Sequence, residues 1–444
     1  MKKSLAVICI AGLFVSLHAV PNARYYALGQ ACFVGDILVS TAQPWQILGY
    51  ADQIQGTADV TSNQQPGPAV LIKSLGENAA IGLAANMFDK RTKGQVFNSP
   101  YYQRSTQFAG LLNPDQKMFP NYPQLNFAIK LFGQKFGLSA FYQTETFNNS
   151  RFTPLVGQAY LRSELNGSVS DYGGCFSARF GFGNLGWNPW IRVGVPLLDG
   201  KETSSSSDSA GVPSTPEIIQ SKLVSSGSSN LMYNFGSCFD YTFGDLGWGI
   251  IGAWYRNEQY KFEKTSSASP GTATLSPKYD NDYYDYFISF TPHIFGDLLI
   301  GFEYQGAYYT TKNMYEDLPK NDTTDRRWYN EFIIAMEKPI KVNKPWLDKF
   351  TFRGSMAYSI GIAMEKTEIA IIGSPQLIDV TERWTPVQTI NYDNRDGLLM
   401  YLGFGLTKGR CTIDLCTDVF NWYKQGGMAM GPPPTYMTLT VDLH

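Results

Sequence analysis

No stretch of this chain supplies the roughly 20 consecutive apolar residues that a membrane-spanning helix needs. A helical membrane protein is thereby excluded. Charged residues are scarce at 17%, against about 25% in soluble domains. Lys and Arg number 36 against 38 Asp and Glu, so no basic surface exists for nucleic acid. Histidine is rarer still: His18, His293 and His444 are all there is. The chain has no Cys-x-x-Cys pair, no His-Glu-x-x-His, no phosphate-binding loop and no dinucleotide fingerprint. These absences remove structural zinc, thioredoxin-like chemistry and the common cofactor enzymes. Neither a catalytic group, a metal site nor a cofactor is expected.

The cysteines are Cys9, Cys32, Cys175, Cys238, Cys411 and Cys416. Cys411 and Cys416 are separated by an odd offset, so on one strand they face opposite sides and cannot bridge. The expected role of the cysteines is as small wall residues rather than a disulfide framework.

What the chain does have is aromatic residues, at 14%, and a repeated phrase. Phe-Gly-Asn-Leu-Gly-Trp at 182–187 returns as Phe-Gly-Asp-Leu-Gly-Trp at 243–248, with looser copies at 132–137 and 295–299. Each copy separates two stretches in which apolar and polar side chains alternate. Gly-Asn and Gly-Asp steps between alternating strands are hairpin turns, because glycine accepts the positive φ that such turns demand. The connections on the other side of each strand pair are long and polar.

The alternation is clearest over 351–364. Phe352, Met356, Tyr358, Ile360 and Ile362 share one face, while Thr351, Arg353, Ser355, Ala357 and Ser359 share the other. The same period of two marks 297–309, 397–407 and 436–443, and more weakly twelve further segments. A count of sixteen follows, and fourteen stays open because the first strand is the weakest. The fold expected is all-β: an antiparallel transmembrane β-barrel of about 14–16 strands, with short periplasmic turns and long extracellular loops.

The front of the chain agrees with export. Met1-Lys2-Lys3, an apolar core from Leu5 to Val15 and a small residue at Ala19 make residues 1–19 a secretory signal peptide. Residues 20–52 are then an N-terminal arm, either tucked into the barrel as a plug or trailing in the periplasm, and 53–444 form the barrel. The expected location is the cell outer membrane of a Gram-negative organism. Lipid, lipopolysaccharide, the outer-membrane insertion machinery and small solutes are the expected partners. The chain ends in Leu443-His444 rather than an aromatic residue, so recognition by that machinery would rest on the alternation and Tyr436.

Projecting the polar faces inward places Lys130, Arg179, Arg192 and Arg353 in the lumen as cations. The matching anions are Asp240, Asp285, Glu303, Glu331, Glu337, Asp414, Asp418 and Asp442. Against lipid the basic groups would cost about 2–4 kcal/mol each near the midplane. Either they set a transverse field across an open channel, with a mild cation preference, or they pair to brace a narrow barrel. In the open case, charge reversal at Arg179 or Arg353 is expected to change ion selectivity. Asp280, Asp282 and Asp285 form an acidic group near a strand top, with Glu316, Asp317, Asp322 and Asp325 in the next loop. Trp187, Trp190, Trp248, Trp254, Trp328 and Tyr283, Tyr284, Tyr286, Tyr308 and Tyr309 are expected near the headgroup boundary.

The order of signal peptide, Leu28-Gly29-Gln30-Ala31 and hairpin-rich barrel resembles the outer-membrane family of long-chain fatty-acid and aromatic-hydrocarbon transporters. It is similar also to the related barrel that shuttles cargo in type IX secretion. In those families a comparable stretch precedes an Asn-Pro-Ala turn and can plug the lumen. Here the corresponding residues read Ser40-Thr41-Ala42-Gln43-Pro44-Trp45. The resemblance implies a porin-like channel for small solutes, amphipathic or hydrophobic ones among them. The alternative is a structural or interaction barrel whose loops bind a partner or secreted substrate.

Overall fold

The computed structural model describes residues 23–29, 31, 43–59, 69–85, 124–154, 160–206, 218–225, 231–268, 271–275, 277–293, 297–315, 323–370, 377–387, 398–419 and 435–443. The strands are β1 (Gln53–Asp59), β2 (Ala69–Ser74), β3 (Ala79–Ala85), β4 (Gln124–Leu131), β5 (Gln134–Pro154) and β6 (Tyr160–Phe182). They continue as β7 (Leu185–Ser206), β8 (Ile218–Ser225), β9 (Leu231–Thr242), β10 (Gly247–Ala268), β11 (Gly271–Leu275) and β12 (Pro277–Pro292). The last are β13 (Leu299–Tyr315), β14 (Thr323–Lys344), β15 (Leu347–Ala370), β16 (Leu377–Val387), β17 (Leu398–Lys408), β18 (Cys411–Asp418) and β19 (Thr435–Asp442).

All neighbours pair antiparallel, and β1 pairs with both β2 and β19, which closes the sheet. Three strands are additions at the outer end: β8 pairs with β7 and β10, β11 with β10, and β16 with β15. Below them β7 pairs with β9, β10 with β12 and β15 with β17. The closed barrel therefore has 16 staves.

The repeated phrase makes turns at one end. Gly183 at φ +64° and Gly244 at φ +61° supply the left-handed backbone there. The two copies are not identical, since Gly183-Asn184 is a two-residue turn whereas Gly244–Leu246 is a single 3-10 turn. Several connections expected as loops are strand instead. Lys338–Lys344 stay in β14 and pair down to a turn at Pro345-Trp346. Parts of 148–168, 198–228, 264–280 and 365–394 belong to β5, β6, β7, β8, β10, β11, β15 and β16. Once a ladder has formed, each further residue satisfies its backbone groups on its neighbour, and Thr- and Ser-rich stretches such as Lys201–Ser206 do not prevent this. The Pro432-Pro433-Pro434 segment and the loop at 89–122 lie outside the described residues.

The two faces follow the alternation. On β15, Phe352, Met356 and Tyr358 are exposed while Thr351, Arg353 and Ala357 are buried; on β17, Met400, Leu402 and Phe404 are exposed while Leu399 and Tyr401 are buried. An outer surface of Leu, Ile, Phe and Met all round the wall is stable only in hydrocarbon. Two aromatic rows run along it. Phe136, Phe180, Trp187 and Phe239 are in ring contact near the short turns. Tyr233, Tyr255, Tyr284, Tyr308 and Trp328 are in ring contact further up. This is an outer-membrane β-barrel. Trp190 and Tyr283, expected in those rows, are instead buried on the inward parity, and Trp248 and Trp254 share that parity on β10.

The seam is pinned at the periplasmic rim. Asp52 accepts from the Lys73 ammonium and the Ser74 hydroxyl, and its carbonyl accepts from the Leu443 amide at 2.7 Å. The bond from Lys73, followed by that from Ser74, lowers the Asp52 pKa to about 2. A depressed carboxylate contributes stability above its ordinary value, and that contribution is lost as pH falls through about 2. Asp52→Asn is therefore expected to lower stability at neutral pH and to flatten the acid limb below about pH 4. Urea unfolding of detergent-held barrel at a series of pH values checks this, and identical acid limbs would refute it.

Candidate functional site

Two pieces of the N-terminal arm lie inside the barrel. The short helix Ala23–Ala27, with Leu28 and Ala31, packs against the inward residues Ile333, Ala335, Ala357, Leu399, Tyr401, Cys416 and Tyr436. The 3-10 turn Pro44–Tyr50 buries Ile47 against Val70, Ile72, Ala80, Ala84 and Ala128 on another part of the wall. Small inward residues make the room. A Cβ on Gly403 would stand 2.6 Å from the Ala27 Cβ, and one on Gly137 would overlap the backbone of Pro44 and Trp45. Gly137→Val is therefore expected to dislodge the 44–50 turn while leaving the outer face of β5 intact. Faster cleavage of the arm by added protease in folded barrel is the expected result, and unchanged cleavage would refute the packing.

Polar contacts tie both pieces to the wall. The Arg24 Nε donates to Glu337 Oε2 at 2.9 Å. Glu337 also accepts from Arg353 Nε at 2.5 Å, and Arg353 Nη1 donates to Asp414 Oδ1 at 2.6 Å. A four-membered chain of alternating charge results, with the Arg353 and Asp414 side chains each only 6% exposed. The Ala23 amide donates to Thr438 Oγ1 at 2.8 Å beside it. At the second tether, the Trp45 amide donates to Ser177 Oγ at 3.1 Å. Arg179 grips Asp240 with both guanidinium nitrogens, at 2.5 and 2.7 Å, and Asn188 Nδ2 donates to the same carboxylate at 2.8 Å. Arg179 and Lys135 both lie 5.5 Å from the Trp45 ring. Pro189 has no amide to give, and the β6–β7 ladder skips from Ser177–Trp190 to Phe180–Trp187 at that point.

The other candidates fall in different places. Arg192 is buried with its guanidinium 3.9 Å from the Phe141 ring. Glu303 and Glu331 are buried on the inward faces of β13 and β14, Glu331 accepting from Gln305. Lys130 and Asp442 share the inward parity but are exposed at the last turn-side positions, on the periplasmic rim. Asp285 and Asp418 are buried. The acidic group of 280–285 is split, because parity turns Asp285 inward. Asp280 and Asp282 stay outside, held by Asn257 Nδ2 at 2.9 Å each and by the Tyr255 hydroxyl on Asp282 at 2.6 Å. His293 is exposed at the β12 turn, its amide donating to the Leu246 carbonyl at 3.2 Å.

Sequence reasoning missed Arg24, Arg256, Asn188 and Trp45. Arg256 has the same signal as Arg192, a basic residue on the polar parity of a strand, and was findable. It lies 3.9 Å from the Tyr283 ring. Cross-strand register aligns Asn126, Ser139, Cys175, Arg192, Asn234 and Arg256 into one inward belt across β4 to β10. In that belt Asn126 Nδ2, Ser139 Oγ and Asn234 Oδ1 are buried with no partner among the described residues. Among the described residues no disulfide joins Cys175, Cys238, Cys411 and Cys416, with Cys411 exposed and Cys416 buried on opposite sides of β18.

No protein-family model matches this chain, and no curated protein matches it in sequence. Among solved structures, the toluene transporter TbuX of Ralstonia pickettii is similar at a TM-score of 0.41 with 11% identity, over 97% of this chain and 100% of that one. The CymD monoaromatic hydrocarbon channel aligns at 0.39 with 10% identity, over 97% and 98%. The Pseudomonas putida toluene transporter TodX aligns at 0.37 with 10% identity, over 97% and 100%.

Proposed function

We propose that the protein is an outer-membrane channel for small solutes with apolar or amphipathic surfaces, obstructed at rest by its own N-terminal arm. The reading rests on one observation. The arm touches the wall through two polar tethers and small-residue contacts, while in the belt the buried Asn126 Nδ2, Ser139 Oγ and Asn234 Oδ1 find no partner among the described residues. Such atoms are expected to meet water or a solute. The inward aromatics Phe141, Tyr283, Phe287 and Trp190 alternate with those polar groups, which suits a solute with both kinds of surface. Residues 1–19 as a signal peptide, 20–52 as the arm and 53–444 as the barrel are parts of the same proposal. So is the lumenal role of Arg179, Arg192, Asp240, Glu303, Glu331, Arg353 and Asp414, with Lys130 and Asp442 at the periplasmic mouth.

Liposome swelling with solutes of graded size and polarity tests the reading. Entry that rises with apolar character is expected, and impermeability to all solutes, with or without the arm, would overturn it. A second reading, an interaction barrel, is favoured by strand length. β5, β6, β7, β10, β14 and β15 have 21–24 residues, whereas about 9–11 suffice to cross a bilayer. Impermeable vesicles whose barrel still captured a partner through those outer extensions would favour it.

A further inference from the structure

The periplasmic turns are unequal in charge. The turn at 75–78 carries Glu77, and that at 244–246 carries Asp245. By contrast the adjacent β14–β15 and β17–β18 turns gather Lys338, Lys341, Lys344, Lys349, Lys408 and Arg410, with Asp348 as their own acid and Asp442 of β19 next to Arg410. Asp348 is already committed. It accepts from Lys408 Nζ at 2.7 Å and from the Gly409 amide at 2.7 Å, which fastens the two turns into one unit. Those two bonds, the Gly409 amide first, hold its pKa below the ordinary value. Five cations remain with no acidic partner among the described residues. Lys341 and Lys349 stand directly opposite each other on the inward parity of β14 and β15, so the cations left for a group on the lipid side are Lys338, Lys344 and Arg410.

The same hairpin tip is apolar on its lipid side. Trp346 is 71% exposed, Ile340 is exposed on the outward parity of β14, and Phe350 stacks with Phe404 at 6.2 Å just above. An indole beside lysines at the edge of a hydrocarbon belt suits a headgroup boundary with negative charge. A purely aqueous anionic partner would leave Trp346 and Ile340 unused.

We propose that these two turns form a site for anionic phospholipid of the periplasmic leaflet, with Trp346 seated among the upper acyl carbons and Lys338, Lys344 and Arg410 on the phosphate. Each basic group near such a headgroup is worth about fivefold in affinity at low salt. The test uses full-length barrel reconstituted with spin-labelled lipids, comparing the immobilised fraction of phosphatidylglycerol with that of phosphatidylcholine of the same chains. The wild type is expected to prefer phosphatidylglycerol, and 1 M salt is expected to erase the preference. Lys338→Gln with Lys344→Gln and Arg410→Gln should abolish it, while Lys73→Gln, on β2 of the same rim and outside the two turns, should not. Equal immobilisation of the two lipids by the wild type would overturn the site, as would a preference that survives salt. A triple variant that keeps the preference would do the same. Binding of isolated peptidoglycan that depends on these residues, without lipid preference, would also overturn it and assign the surface to the cell wall.

Discussion

A chain lacking residues 20–51 is expected to insert as an open pore and to show large, steady ionic steps in planar bilayers, where the intact mature chain shows small or rare ones. The physical reason is geometric. Sixteen staves enclose a lumen that side chains alone cannot fill, and barrels of that size ordinarily leave an aqueous channel. Here Leu28 and Ile47, both fully buried, occupy it from two sides. Removing the arm exposes Ala80, Ala84, Ala128, Ala335 and Ala357, which are too small to close the gap. The barrel itself should survive, because its ladder closes through β1 and β19 without the arm. Heat-modifiable migration in detergent checks that survival. Equal conductance from the intact and shortened barrels would refute the arm as the obstruction.

The second large effect separates two arginines that look alike in sequence. Arg353→Met is expected to cost about 3–5 kcal/mol, because it strands Asp414 and leaves Glu337 to Arg24 alone in a buried setting. Arg24→Met is expected to cost no more than about 1 kcal/mol. Its side chain is 31% exposed, and Glu337 keeps Arg353 after the loss. Arg24→Met should nevertheless raise conductance, since it cuts the tether of the helix Ala23–Ala27. Urea midpoints for both variants, read beside single-channel records, decide the matter. Equal midpoints would contradict the buried chain of charges. The charge reversal at Arg353 anticipated from sequence is consequently a test of stability before it is one of selectivity, because that guanidinium is held between two carboxylates.

The staves were legible because hydrocarbon on one side and a polar interior on the other impose a period of two. Phe352 to Tyr358 shows that period without help from any contact. The turns were legible for a similarly local reason, as Gly183 and Gly244 take a positive φ that glycine adopts without a Cβ clash. The outer additions β8, β11 and β16 were not. Their Ser- and Thr-rich residues carry little alternation, and what makes them strands is a neighbour already extended beside them. Trp190 and Trp187 illustrate a further limit, since one position of parity separates a lumenal indole from a lipid-facing one near a strand end.

Within the site, the inward direction of Arg179, Arg192, Arg353, Glu303, Glu331 and Asp414 could be read from parity alone. Which of them meet could not. Arg353 and Asp414 are 61 residues apart, and Arg24 reaches Glu337 across 313. Sequence by itself determined the barrel, its stave number to within two and the polarity of its two faces, because those depend on the solvent each side chain meets every other residue. Only the tertiary structure decided that Arg24 and Trp45 stand inside, which charges pair, and that the basic turns at Lys344 and Arg410 adjoin. Such contacts depend on stagger and closure around the ring, and no local pattern encodes them.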